Sequence, residues 1–303
     1  MSLLVLLVSI FNFILGYLVY RQNKNNAGFK SFFLLTSTIS GWLFFVFLTI
    51  LSTPNQEAML QASKMCFLIG SFPPAFFMLF ATSYIKNSLK NNLLRLGIFL
   101  PAIYFAAISY SGQIVTKVYN ALPFEALYGT GFPLFNAYYI LCMIIAIGIL
   151  IYKTKIFPKE KNTLNIIIGG TICTQLIIII TELILPFYRI NFLFVLGHFA
   201  PVIMNTCIAF AIIKYQALNI RWVIQKSLLY TFILSIILTS TFAISFTFGL
   251  YFRLSYQNIL LTSLSIALVI SLFKTHFQKT IDQIFFKDKL NFEDAVIKIN
   301  NQL

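Results

Sequence analysis

Charge is scarce in this sequence, and negative charge is the scarcest. Asp, Glu, Lys and Arg make up 10% of the 303 residues, with 8 acidic side chains against 22 basic ones. Set beside 59% hydrophobic residues, that shortage excludes a soluble globular domain. Histidine is limited to His198 and His276. The four cysteines (Cys66, Cys142, Cys173, Cys207) fall in separate apolar stretches with no CxxC spacing, so they read as small packing residues, with no disulfide or metal site implied. No Gly-rich phosphate loop and no HExxH motif occurs. No catalytic residue, metal or cofactor is therefore expected within these residues.

What is present is apolar length. Stretches able to cross roughly 30 Å of hydrocarbon recur along the chain, at about Ser2–Tyr20, Ser31–Ser52, Met65–Ile85, Leu96–Ser111, Leu134–Tyr152, Leu164–Leu185, Phe192–Ile213, Ser227–Phe252 and Asn258–Phe273. The pattern predicts an all-α integral membrane protein of about nine transmembrane helices, because a barrel would need alternating segments of about ten residues. The basic residues follow the same rhythm. All except Lys64, Lys117, Arg189 and Arg253 lie in the loops after the first, third, fifth and seventh stretches or in the C-terminal tail. By the positive-inside rule the N-terminus is expected outside and the C-terminus in the cytoplasm of a cell (inner) membrane. The net charge of +14 thus sets topology and does not point to nucleic acid. The first stretch has its positive charges after it and no small-residue cleavage site, so it is expected to stay as an anchor.

Two breaks in the rhythm suggest organisation. Gly112 to Pro133 is the one long external loop, rich in Gly, Pro and aromatics, and is expected to form a small cap or hairpin over the outer mouth. Lys214–Lys226 separates seven stretches from two. The expected parts are a membrane bundle over 1–213, a cytoplasmic connection over 214–226, a two-helix hairpin over 227–273 and a cytoplasmic linker helix over 274–303. In that last part Phe277, Ile281, Ile284 and Phe285, then Val296, Ile299 and Leu303, recur at helical spacing. A relay helix and a helix lying on the inner leaflet both fit this pattern.

Particular residues then carry a resemblance. Pro186 and Gly197 precede the run Ala209–Ile220, followed by Val223–Tyr230 and, after two apolar stretches, by Phe277-Gln278 and Ile281–Lys287. With Trp42 and Pro73-Pro74, these resemble the N-terminal seven-helix sensory region of bacterial histidine kinases, with two further transmembrane helices and without the kinase core. The resemblance runs over essentially the whole chain. It implies a sensor that passes a helix movement to a cytoplasmic output module or response regulator, and a homodimer. His276 lacks the acidic neighbour and nearby proline of a phospho-acceptor box, so kinase chemistry would require a kinase core elsewhere in the protein.

Polar residues within apolar stretches are the remaining clues, because placing them in lipid is costly. Glu182 is the single carboxylate inside any expected span. Helical spacing puts Gln175 and Glu182, with Thr171, Thr174 and Thr181, on one face, and Asn191, His198 and Asn205 on one face of the next helix. Glu182 and His198 fall within roughly 6 Å of the same depth. The two faces are expected either to line a small-molecule pocket or to hold the helices together by hydrogen bonds. Pro73 and Pro74 are candidate hinges, with a static kink as the alternative. A transporter or channel remains the competing function, weakened by the single intramembrane carboxylate and by the lack of a matching proline pair elsewhere.

Overall fold

The computed structural model describes residues 2–85, 92–121, 124–185 and 194–216. All lie in the first of two compact units, Met1–Phe232 and Ile233–Leu303. The expected eighth and ninth spans, the 214–226 connection beyond Gln216 and the 274–303 segment fall outside the described residues.

The chain opens with α1 (Ser2–Gln22) and turns into α2 (Ala27–Leu51). Asn26 starts α2 as its N-cap, its side chain accepting from the backbone N–H of Gly28 at 2.8 Å and of Phe29 at 3.2 Å. Asn55 does the same for α3 (Gln56–Gly70), with Glu57 in the first turn. This cap sets the start of α3 well before Met65, the first residue of the expected apolar span. The helix begins in a polar segment that hydropathy alone does not count. After Ser71 the chain restarts as α4 (Phe72–Ser83), and α3 and α4 together form one apolar helical stretch, Gln56–Ser83.

Next come α5 (Asn92–Tyr110), strands β1 (Val115–Ala121) and β2 (Phe124–Tyr128), and α6 (Phe132–Ile156). The strands pair antiparallel, with Val118 opposite Ala126. They form the hairpin expected between Gly112 and Pro133, so the described part is helical apart from this one ribbon. Its inner face (Ile114, Val115, Val118, Ala121) packs on Met59, Phe105, Phe135 and Tyr138. A short 3-10 turn, Pro158–Glu160, leads to α7 (Lys161–Ile178), which widens into a π-helical turn, Ile179–Ile184. The last described element is α8 (Phe194–Gln216).

Among the described residues, five helical stretches are long and apolar enough to cross a membrane: Ser2–Gln22, Ala27–Leu51, Gln56–Ser83, Phe132–Ile156 and Pro158–Glu182. Two more apolar helices, Arg95–Tyr110 and Leu196–Ile212, are shorter. The outer surface suits lipid. On α1, Leu3 is 65% exposed, and Leu7, Ile10 and Phe13 are exposed beside it. Polar side chains turn inward instead. Ser9 and Ser40 exchange hydrogen bonds between α1 and α2, Ser9 Oγ donating to Ser40 O at 2.8 Å and Ser40 Oγ to Ser9 O at 2.7 Å. Helix α7 lies close against α8 because Gly170 has no side chain: a Cβ there would collide with Cys207. Lys153, expected in a charged loop, is drawn into α6 and is 4% exposed. Its Nζ donates to the carbonyls of Thr82 at 2.8 Å and Tyr84 at 2.6 Å, where α4 ends.

Candidate functional site

A cavity of about 150 Å³ lies among α1, α2, α3, α4, α6, α7 and α8 and is lined in part by the hairpin. Each wall brings one type of chemistry. Helix α2 supplies Trp42, α6 supplies Tyr139, α7 supplies Gln175 and Glu182, and α8 supplies His198. Ala121, Phe124 and Tyr128 of the hairpin form part of the lining. Burial pushes the Tyr128 phenol up from its ordinary value.

The indole of Trp42 stacks on the imidazole of His198, with ring centroids 5.3 Å apart and planes 4° from parallel. Gly70 faces this indole, and a Cβ there would lie 3.3 Å from Trp42 Cδ1. His198 Nδ1 is 3.9 Å from Glu182 Oε1, close enough for electrostatic attraction and too long for a hydrogen bond. Glu182 sits in the π-helical turn, with its carboxyl against α8 at Gly197 and His198. Room for it comes from Gly197, where a Cβ would collide with the Glu182 carboxyl and crowd Thr181. Thr174 Oγ1 donates to Ala200 O at 3.0 Å and clamps α7 to α8 just below.

Three buried polar atoms on the cavity wall have no hydrogen-bond partner: Ser63 Oγ, Gln175 Nε2 and Glu182 Oε1. Ser63 is 2% and Gln175 7% exposed. Buried polar atoms left unpaired are costly, and here they converge on one space.

The structure therefore brings together Glu182, His198 and Gln175. It does not bring in Asn205, which is fully buried and whose Nδ2 donates to Asn12 Oδ1 at 2.7 Å across the α1–α8 contact. Asn191 lies outside the described residues. Pro73 lines the cavity, and both prolines follow directly on the interruption at Ser71 between α3 and α4. Both fall in the first turn of α4, where the missing N–H costs least. The α3 end is closed by other groups. Ser71 Oγ donates to Phe67 O at 2.8 Å, and Tyr138 OH donates to Ser71 O at 2.9 Å. Sequence reading missed Ser63, Tyr139 and the Trp42–His198 stack, because contacts between distant spans leave no mark in local spacing. Among the described residues no group of three or more His, Cys, Asp or Glu side chains could hold a metal ion.

The family described as the N-terminal 7TM region of histidine kinase matches residues 4–221, a stretch that covers every element above except the first two residues of α1. The chain belongs to this family. No curated protein and no solved structure matches it. It is thus a multi-pass membrane protein built on the 7TM input region, and the cavity sits wholly within the matched residues.

Proposed function

We propose that this chain is the signal-receiving part of a histidine kinase-type transducer, and that the cavity is where a small signal binds. The convergence of Ser63 Oγ, Gln175 Nε2 and Glu182 Oε1 on one aromatic space carries this reading. Atoms that need partners inside a membrane bundle suit a ligand that supplies them. The cavity also touches both ends of the α3–α4 junction and the α7–α8 pair. An occupant that fits one helix packing better than another shifts the population between them. The stretches 227–273 and the 274–303 segment then carry the shift to a cytoplasmic output in a homodimer. The distribution of basic residues supports an outer N-terminus and an outer hairpin in a cell (inner) membrane.

Glu182→Gln and His198→Phe in the gene at its native locus should abolish signal-dependent output while leaving membrane abundance unchanged. Equal loss of abundance and output would show that the pair only holds the bundle together. Solute flux in proteoliposomes, with output indifferent to both substitutions, would favour a transporter.

A further inference from the structure

The chemistry of the cavity wall restricts what it accepts. Among the described residues Glu182 is its one carboxylate, and no Lys or Arg lines it. The remaining wall is mainly aromatic and aliphatic, with Trp42, Phe67, Phe124, Phe135 and Tyr139 presenting ring surface. Ring faces carry partial negative charge and attract cations, most strongly where water is excluded. A carboxyl oxygen with no hydrogen-bond partner, set among aromatic rings, is suited to receive positive charge. Gln175 Nε2 adds an unpaired NH2 donor group, matching an acceptor or water carried by the same molecule. Among the described residues His198 is the only basic side chain at the site; it is 3.9 Å from the Glu182 carboxyl and stacks on Trp42. A cavity of about 150 Å³ has room for a body the size of one benzene ring.

Resting on the reading of this cavity as the signal site, we propose that its ligand is a small organic cation: an ammonium group held against Glu182, joined to an apolar body of about one ring that packs among the aromatic side chains. A neutral ligand would leave the carboxylate with ordinary hydrogen bonds only. An anion would meet Glu182 at close range.

The test uses the full protein in lipid nanodiscs with Trp222→Phe, which leaves Trp42 as the sole tryptophan of the 2 in the sequence. Trp42 fluorescence is titrated at neutral pH with benzylamine, benzyl alcohol and benzoate, which share a ring and differ in charge. Benzylamine is expected to bind saturably and at least about tenfold more tightly than benzyl alcohol, with benzoate weakest. Glu182→Gln should erase that preference and still bind benzyl alcohol, which also shows that the variant is folded. Glu182→Asp should keep it. If Glu182→Gln loses all binding, Glu182→Asp decides, and loss of the preference there overturns the proposal. Benzyl alcohol or benzoate binding as tightly as benzylamine, or a preference indifferent to Glu182→Gln, overturns the cation class and leaves the cavity as a binding site. No saturable response to any of the three overturns both.

Discussion

At the scale of single residues the site depends on how closely α7 and α8 approach. Gly197→Ala adds a methyl group where the Glu182 carboxyl now lies, so the carboxyl must swing away from His198 while the backbone keeps an ordinary helical residue. Signal-dependent output is expected to fall about tenfold or more with little loss of folded protein, read as output against membrane abundance. Asn205 differs in kind. Its bond to Asn12 joins α1 to α8, and a double-mutant cycle with Asn12→Ala and Asn205→Ala should give a coupling of about 0.6–2 kcal/mol in unfolding experiments, the usual range for such bonds in membranes. Output normalised to folded protein should not change in these variants. Glu182 and His198 were legible in the sequence because a carboxylate and an imidazole in lipid-length stretches are rare. Asn205 shares helical spacing with His198, and spacing alone could not tell that it faces α1. The stack of Trp42 on His198 was invisible for a different reason: with 34 Phe and 15 Tyr in the chain, an aromatic residue carries almost no positional signal.

At the scale of elements, the sequence shows where helices cross more clearly than how they end. The first seven apolar stretches all correspond to helical segments, and the Gly- and Pro-rich loop at Gly112–Pro133 holds the β-hairpin. Ends were misjudged where polar side chains extend or close a helix. Asn55 starts α3 before the apolar run, and Lys153 leaves the loop to cap α4. Pro73-Pro74 suggested a kink in mid-span, and the helix is interrupted at Ser71, with both prolines in the first turn of α4. Whether the junction works as a hinge can be tested at Tyr138, whose hydroxyl holds the Ser71 carbonyl. Tyr138→Phe should leave the fold intact and shift the balance of output states, measured as a changed basal output. The Lys153 clamp is a stability feature. Lys153→Met deprives two carbonyls of a charged donor and should cost about 1.5–3 kcal/mol, visible as earlier unfolding with ligand binding at the cavity retained.

At the scale of the whole molecule, the described helices form a bundle that exposes apolar side chains outward and gathers polar ones within, as expected of a multi-pass membrane protein. Membership of the family of N-terminal 7TM regions of histidine kinases supports the proposal that this bundle receives a signal. The claim that joins the scales is that occupancy of the central cavity sets the output. Filling the cavity by substitution tests it most directly. Ser63 has a buried hydroxyl with no partner on the cavity wall, so Ser63→Phe places a ring in the space assigned to the signal. The measurement is histidine phosphorylation in native membranes, in the full protein or the kinase it works with, compared between wild type and Ser63→Phe at equal membrane abundance. The account predicts an output fixed at one level, high or low, that no longer follows the signal. An output that follows the signal as in wild type, with the cavity filled, would contradict it.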